Sequence, residues 1–470
     1  MNAFTYMFVG YLVLLIAIGF YFSKKMKGMG DFLVAGRKLN LPLTTATLMA
    51  TWTGAAAITG YAGWCYYCGY SMLWIAFATT PSLIIIGILF AKKLRKLALY
   101  TVPDLLKLRY DKKTGGVSAV LIAAYCIGVV AGEIMGGAAV MSTIFGWEFA
   151  HAMLLVAVIV IAYTTLGGLW AVAWTDLIQF LILSIGLVIA IPLTLKEVGG
   201  WSGLHISLAE MDPAHLGIFE YAPYKMILAW FIIIFASNFI APDIYQRMYA
   251  AKDERTARLA MGITGMWDTI LTMIALVLGM AAFVIFAGEI EGDMALPMLI
   301  DKLFPGIFGA FVMVAIMAVI MSTADSLLVV ASGTFVEDFY KGFINPKVTE
   351  EYALKLIRVM TIVSGLIALA LAFYFESIMD SILFASSIYA AGLFIPVMSA
   401  FYWKRGTKEA AFISALLGGA VTIIWRIIYG AEASIDPILP GIAISIVSFV
   451  VISLLTKTPE EEKLKPFENI

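Results

Sequence analysis

Thr51-Trp52-Thr53-Gly54 places hydroxyls and a glycine in the middle of an apolar window near 42–66. If that window lies in lipid, a helix unwound there must offer its freed backbone groups to a cavity, an ion or a solute. Composition says that it does lie in lipid. Of 470 residues, 62% are hydrophobic and 13% charged, and the mean hydropathy is +0.95. Soluble chains carry roughly 25% charged residues, so too little polar surface remains here to cover a water-soluble globule and the surplus apolar side chains must face lipid. Soluble enzymes, nucleic-acid binders and disordered scaffolds are excluded. The net charge of -1 says little, because in a membrane protein the position of each charge matters more than the sum, and three cysteines set no disulfide framework.

Windows of roughly 20 mostly apolar residues recur near 4–23, 42–66, 70–91, 117–144, 150–169, 176–194 and 225–246, then near 258–288, 306–336, 353–374, 380–402, 409–430 and 437–455. They predict an all-α integral membrane protein of about 13 transmembrane helices, numbered below as spans 1 to 13 in that order. Backbone groups in lipid must pair within their own segment, and a β-barrel would show shorter alternating segments. No stretch reads as a linker, so residues 1–470 form a single polytopic membrane domain. Basic residues concentrate in the first, third, seventh, ninth and eleventh connections and the tail; of the 31, Lys196, Lys225, Lys302 and Arg426 alone fall elsewhere. This asymmetry predicts a multi-pass cell-membrane protein with its N-terminus outside and its C-terminus in the cytoplasm. Lys24, Lys25 and Lys27 follow the first apolar run rather than precede it, which argues against a cleaved signal peptide. The outside connection 195–224 and the tail from Lys457 read as solvated connections.

A second interruption is expected in span 7, where Ser237-Asn238 precedes Pro242-Asp243; proline removes a donor and clashes with the turn before it. Spans 2 and 7 lie an odd number of spans apart, so they run in opposite directions. An inverted repeat pairing spans 2–6 (42–194) with spans 7–11 (225–402) requires that arrangement, and leaves 403–470 as peripheral helices and a cytoplasmic tail. Two such breaks at matching places point to a midplane binding site, whereas either one alone is also read as a simple kink.

Span 9 carries Met321-Ser322-Thr323-Ala324-Asp325-Ser326. Ser322, Asp325 and Ser326 stand at i, i+3 and i+4 on one face, with Thr323 about 100° round. Hydroxyls and carboxylates are hard oxygen ligands for a hard cation such as sodium, although serine and threonine also bond back to their own helix carbonyls. Asp325 adds weight to the ligand reading, since an intramembrane carboxylate is a functional candidate by default. Asp176, in Thr175-Asp176-Leu177-Ile178-Gln179, reads equally as a helix N-terminal residue and as an ion ligand. Glu133 and Asp268 read as interhelical partners, and Asp243 as a partner of Arg247 one turn on.

These residues carry a resemblance. The chain resembles the sodium:solute symporter family over nearly its whole length, through Gly36-Arg37-Lys38-Leu39, Gly60-Tyr61-Ala62-Gly63, the block from Gly167-Gly168-Leu169-Trp170 to Asp176-Leu177-Ile178-Gln179, Gln246-Arg247, and Met321-Ser322-Thr323 with Glu337-Asp338-Phe339-Tyr340-Lys341 after it. The resemblance implies a leucine-transporter-like core of two inverted five-helix repeats with two interrupted helices, working by alternating access. It also implies a sodium site built from backbone carbonyls of Ala50, Thr53 and Val319 with side-chain oxygens of Ser322 and Thr323. A second cation site would use Asp176, Ser322, Asp325 and Ser326; because an aspartate replaces a hydroxyl there, sodium binding, a proton and a salt-bridge partner all stay open. The solute pocket departs from the sugar branch, with Ala55, Ala56 and Ala57 after the break. Trp52, Ser237 and Asn238 are the expected pocket residues, and a small amino acid or organic carboxylate is the expected solute, its anionic group facing the N-terminal dipole of an interrupted helix.

The expected function is secondary active transport: sodium-coupled symport of a small organic solute, with sodium ion and solute as ligands and the lipid bilayer as surroundings. A proton-coupled symporter of the same fold and a channel-like or solute-sensing protein are the alternatives. An enzyme is not expected, because there is no HExxH and no nucleophile elbow, and His151, His205 and His215 lie at outer loops or helix ends.

Overall fold

The structure is a computed structural model that describes residues 3–23, 34–165, 169–304, 306–430 and 433–468. The Gly167-Gly168 pair and Lys24, Lys25 and Lys27 of the first connection lie outside the described residues. Among the described residues the chain is helical, apart from turns and one isolated bridge between Leu39 and Ala251. A helix stands in every predicted window: span 1 is Ala3–Ser23, span 3 Leu73–Leu89, span 4 Lys112–Phe145, span 5 Phe149–Thr164, span 6 Leu169–Glu197, and span 8 Glu254–Phe286. Span 9 is Ile307–Thr334, followed by Glu350–Ala372, Ile378–Tyr402, Lys408–Tyr429 and Ile438–Leu455 as spans 10 to 13. Spans 2 and 7 are each split. By length and composition, ten segments of the described residues suffice to cross a membrane, the second part of span 2 and span 3 counting together as one.

Local chemistry sets where several spans begin. Asp111, Asp253, Thr349, Ser377 and Thr407 precede spans 4, 8, 10, 11 and 12, and each accepts a hydrogen bond from the backbone N–H three residues on, at 2.7 to 3.4 Å. Such caps satisfy donors that no intrahelical carbonyl can reach. Burial then ranks the spans. Span 9 is buried from Ala315 through Thr334, and it packs between span 4, span 6 and span 10. Spans 6, 10, 12 and 13 turn side chains such as Ile185, Leu366, Ile427 and Leu455 outward, the surface that a lipid environment requires.

The basic connections gather on one face. Leu39 N–H donates to Ala250 O at 3.2 Å and Lys252 N–H to Leu39 O at 2.9 Å across the first and seventh connections, and Arg95 of the third reaches Ala251 O at 2.5 Å. Lys107 pairs with Asp338 at 2.5 Å, Arg109 donates to the carbonyls of Lys404 and Gly406, and Arg405 donates to Thr456 O in the tail. The first, third, seventh, ninth and eleventh connections and the tail therefore meet.

The opposite face corrects one expectation. Connection 195–224 is a folded cap, with a helix Gly200–Met211 that buries Leu204 and Leu208 one turn apart, and a short helix Pro213–Leu216 that buries His215. His215 Nε2 bonds Tyr66 O at 3.0 Å. At Gly69, which has φ +50, a Cβ would stand 2.2 Å from His215 O. The cap needs a glycine at that point because only glycine adopts this backbone without strain and lets the cap approach so closely.

Candidate functional site

Span 2 runs as a helix over Leu41–Trp52, loses helical form at residues 53–55, resumes in a wide turn over Ala56–Gly60 and continues as Tyr61–Cys68. The cause is local. A Cβ on Gly54 would stand 2.2 Å from Glu133 Oε1 and 2.8 Å from Thr323 Oγ1, so a glycine is required for spans 4 and 9 to close on the break. Glu133 Oε2 accepts the N–H of Ala55 at 2.7 Å, and thereby supplies the N-terminal partner that a helix restarting inside a membrane needs. The restart of span 2 thus already has a carboxylate at its N-terminal end, that of Glu133.

Span 7 is a helix over Tyr224–Ile240, turns at Ala241 (φ -55, ψ 117) and restarts as Pro242–Ala250. The break falls at the residue before proline, where the ring disfavours the α region, and not at Ser237-Asn238, which stay helical. Ser237 Oγ returns to Ile234 O at 3.2 Å, Tyr389 donates to Ser237 O at 2.5 Å, and Asn238 Nδ2 donates to Ser82 Oγ at 2.6 Å.

Span 9 meets the first break. Thr323 Oγ1 lies 3.0 Å from Thr51 O, 3.4 Å from Ala50 O and 3.4 Å from Val319 O. Of the five residues expected at the sodium site, the structure thus brings Ala50, Val319 and Thr323 together, and adds the Thr51 carbonyl, which no sequence signal singled out. Thr53 stands at the break with its hydroxyl on Met49 O at 2.5 Å. Ser322 Oγ donates instead to Asp176 Oδ1, whose other oxygen accepts Thr47 Oγ1 at 2.6 Å. Asp176 does not open its helix, which begins at Leu169; it joins spans 2, 6 and 9, so the helix-terminus reading is withdrawn.

Arg247 occupies the neighbourhood expected for a second cation. It is fully buried and donates to Thr51 Oγ1 at 2.6 Å, Ser326 Oγ at 2.9 Å and Gln246 Oε1 at 3.0 Å, within electrostatic reach of Asp176, Asp243 and Asp325. A buried guanidinium is tolerable only with such compensation. Asp325 lies within electrostatic reach of this guanidinium.

A cavity of about 150 Å³ opens beside the break. Its lining includes Trp52, Ser237 and Asn238, the three expected pocket residues, together with Tyr61, Tyr125, Glu133, Asp243 and Asp268. Trp52 Nε1 and Thr80 Oγ1 donate to the two oxygens of Asp268 at 2.8 and 3.2 Å. Glu133 and Asp268 are interhelical partners, as the sequence suggests, and in addition face this cavity. Their signal was the cost of a carboxylate in lipid, but no spacing tied them to the break. A cavity near 150 Å³ has room for a molecule of benzene size.

A model of the sodium:solute symporter family matches residues 32–418. The sodium/proline symporter of Staphylococcus aureus strain JH9 is 29% identical over 482 residues, covering 97% of this chain and 93% of that protein. A Na+-coupled sialic acid symporter, solved in a substrate-bound outward-open state, superposes with a TM-score of 0.83 at 19% identity, covering 98% of this chain and 99% of the other. Mhp1, a nucleobase-cation-symport-1 family transporter, gives a TM-score of 0.62 at 12% identity over 94% of this chain and 100% of its own. These likenesses establish the leucine-transporter-like fold. With four-fifths of its length inside the family match, the chain belongs to the sodium:solute symporter family and is a multi-pass membrane transporter, not an enzyme, that couples solute movement to sodium.

Proposed function

We propose that the transporter takes up a small amino-acid-like solute, bound in the cavity beside the span 2 break with Trp52, Ser237 and Asn238 around it, together with sodium at Ala50, Thr53, Val319, Ser322 and Thr323. One observation carries this reading: the Thr323 hydroxyl sits among carbonyl oxygens from spans 2 and 9, directly beside the cavity. A cation held there draws span 9 onto the interrupted backbone that also forms the cavity wall. Sodium then favours the conformation that binds solute, which is the condition for coupling. Asp176, Asp325 and Ser326 form a second polar cluster in which Arg247 supplies the positive charge. The inverted repeats are 42–194 and 225–402, with 403–470 peripheral; the basic face is cytoplasmic, the N-terminus outside and the C-terminus inside. The sodium/proline symporters among the relatives support an amino acid over a sugar.

One sodium moving down a tenfold gradient and through 100 mV releases about 3.7 kcal/mol, enough to concentrate a neutral solute roughly 400-fold. Uptake of labelled L-proline and other small amino acids into proteoliposomes is the test. Accumulation above the outside concentration is expected with an inward sodium gradient; equilibration without accumulation under that gradient would instead indicate a channel.

A further inference from the structure

The cavity beside the break holds three carboxylates, Glu133, Asp243 and Asp268, and among the described residues no lysine, arginine or histidine lines it. The three are not equivalent. Asp268 has a donor on each oxygen, from Trp52 and Thr80. Glu133 commits Oε2 to Ala55 N–H, and its Oε1 has no hydrogen bond among the described residues. Asp243 is 6% exposed, and its Oδ1 is buried without a hydrogen-bond partner among the described residues. Arg247 lies within electrostatic reach of Asp243 but turns its guanidinium to Thr51, Ser326 and Gln246 and does not line the cavity.

A buried carboxylate oxygen without a donor is costly, so Asp243, whose side chain lines the same space as those of Glu133 and Asp268, marks a site that awaits a donor or positive charge. The rest of the wall agrees. Trp52, Tyr61 and Tyr125 share the cavity, and aromatic faces attract ammonium groups, most strongly where water is excluded. At the restart of span 2 the Ala55 N–H is already taken by Glu133. On the side proposed to face outward, a cavity bounded by Glu291, Asp293, Glu376 and Asp380 likewise has no basic lining residue among the described residues, and Asp380 pairs with Arg426 at 2.7 Å. A positively charged solute meets a favourable potential there and again at the cavity.

We infer that the solute class is defined by a cationic ammonium group, held by Glu133 and Asp243 against the aromatic walls, and that a carboxylate on the solute is dispensable. This rests on the solute site proposed above and narrows what it accepts.

Two shape-matched pairs test it on the purified full-length protein in detergent with sodium chloride: tetramethylammonium against pivalate, and pyrrolidinium against cyclopentanecarboxylate, with thermal unfolding as the readout. The cation of at least one pair raises Tm only when sodium is present, and its anionic partner does not. Glu133→Gln and Asp243→Asn each raise the half-saturating cation concentration about tenfold, as loss of one charge-assisted contact implies, while the shift given by sodium alone persists in Asp243→Asn. An anion that stabilises as well as its cation, silence of both cations, or variants that bind the cation like the parent would overturn the inference. If the sodium shift survives while both cations are silent, this narrowing alone falls; if sodium also gives no shift, the underlying site falls with it.

Discussion

Arg247 donates to Ser326 Oγ at 2.9 Å, so a guanidinium from the short helix after the span 7 break stands against the polar face of span 9. Three carboxylates, Asp176, Asp243 and Asp325, interact with it electrostatically. Arg247→Met should therefore cost about 3–5 kcal/mol, the usual result of removing one partner from a buried charge cluster. Arg247→Lys should recover part of that loss, because it restores the charge without the planar fork. Thermal unfolding in detergent reads both; a parental Tm for Arg247→Met would mean that the carboxylates do not depend on it.

Asp325→Asn removes one of those carboxylates. Since Arg247 already supplies the positive charge, the variant should lose stability and keep the number of sodium ions moved per solute. Solute flux measured at graded membrane potentials gives that number. A drop by one ion would make Asp325 a sodium ligand.

Thr323→Ala deletes the hydroxyl that lies 3.0 to 3.4 Å from three carbonyl oxygens. The sodium concentration for half-maximal transport should rise about tenfold, the scale of one lost ligand contact. Ser322→Ala should have a smaller effect, through Asp176, to which Ser322 donates. Unchanged sodium half-saturation in both variants would remove them from the ion site.

Gly54→Ala forces a Cβ to within 2.2 Å of Glu133 Oε1 and 2.8 Å of Thr323 Oγ1. Overpacking of this kind costs roughly 1–3 kcal/mol, and the strain falls on the contact between the break and span 9. The variant should still fold yet lose both transport and the sodium-induced thermal shift, whereas wild-type-like uptake would show that spans 4 and 9 do not close on Gly54.

In the cap formed by connection 195–224, Tyr221 donates to Asp212, and that bond, with help from Ala214 N–H and His215, holds the Asp212 carboxyl below its usual range while pushing the Tyr221 phenol up to about 12. A depressed carboxyl contributes stability above its unfolded pKa and loses it as pH falls; a raised phenol contributes stability below its unfolded pKa and loses it as pH rises. Tyr221→Phe should therefore make connection 212–221 more protease-sensitive than the parent between roughly pH 5 and 9. The difference should vanish near pH 3; a difference independent of pH would detach the cap from this pair.

Several features of the site could be read along the chain because their cause is local. Gly54 and Pro242 announced both breaks, and the second fell at Ala241, one residue ahead of the proline, for the steric reason that marks any residue before proline. The helix-terminus reading of Asp176 fails because apolar periodicity does not reveal that its helix reaches back to Leu169. The cap at 195–224 was read as solvated because its buried stripe, Leu204 and Leu208, is too short to stand out between polar neighbours.

A helix in each apolar window and the gathering of basic connections on one face follow from the amino acids alone, because a lipid solvent imposes its thickness and charge asymmetry on each segment separately. Which acceptor meets which donor does not. Ala55 and Glu133 are 78 residues apart and Arg247 and Ser326 are 79 apart, and no spacing encodes such pairs. They form because packed helices close to within hydrogen-bond distance at those points, and that closure is what turned an interrupted helix into a site whose anionic partner is the protein's own.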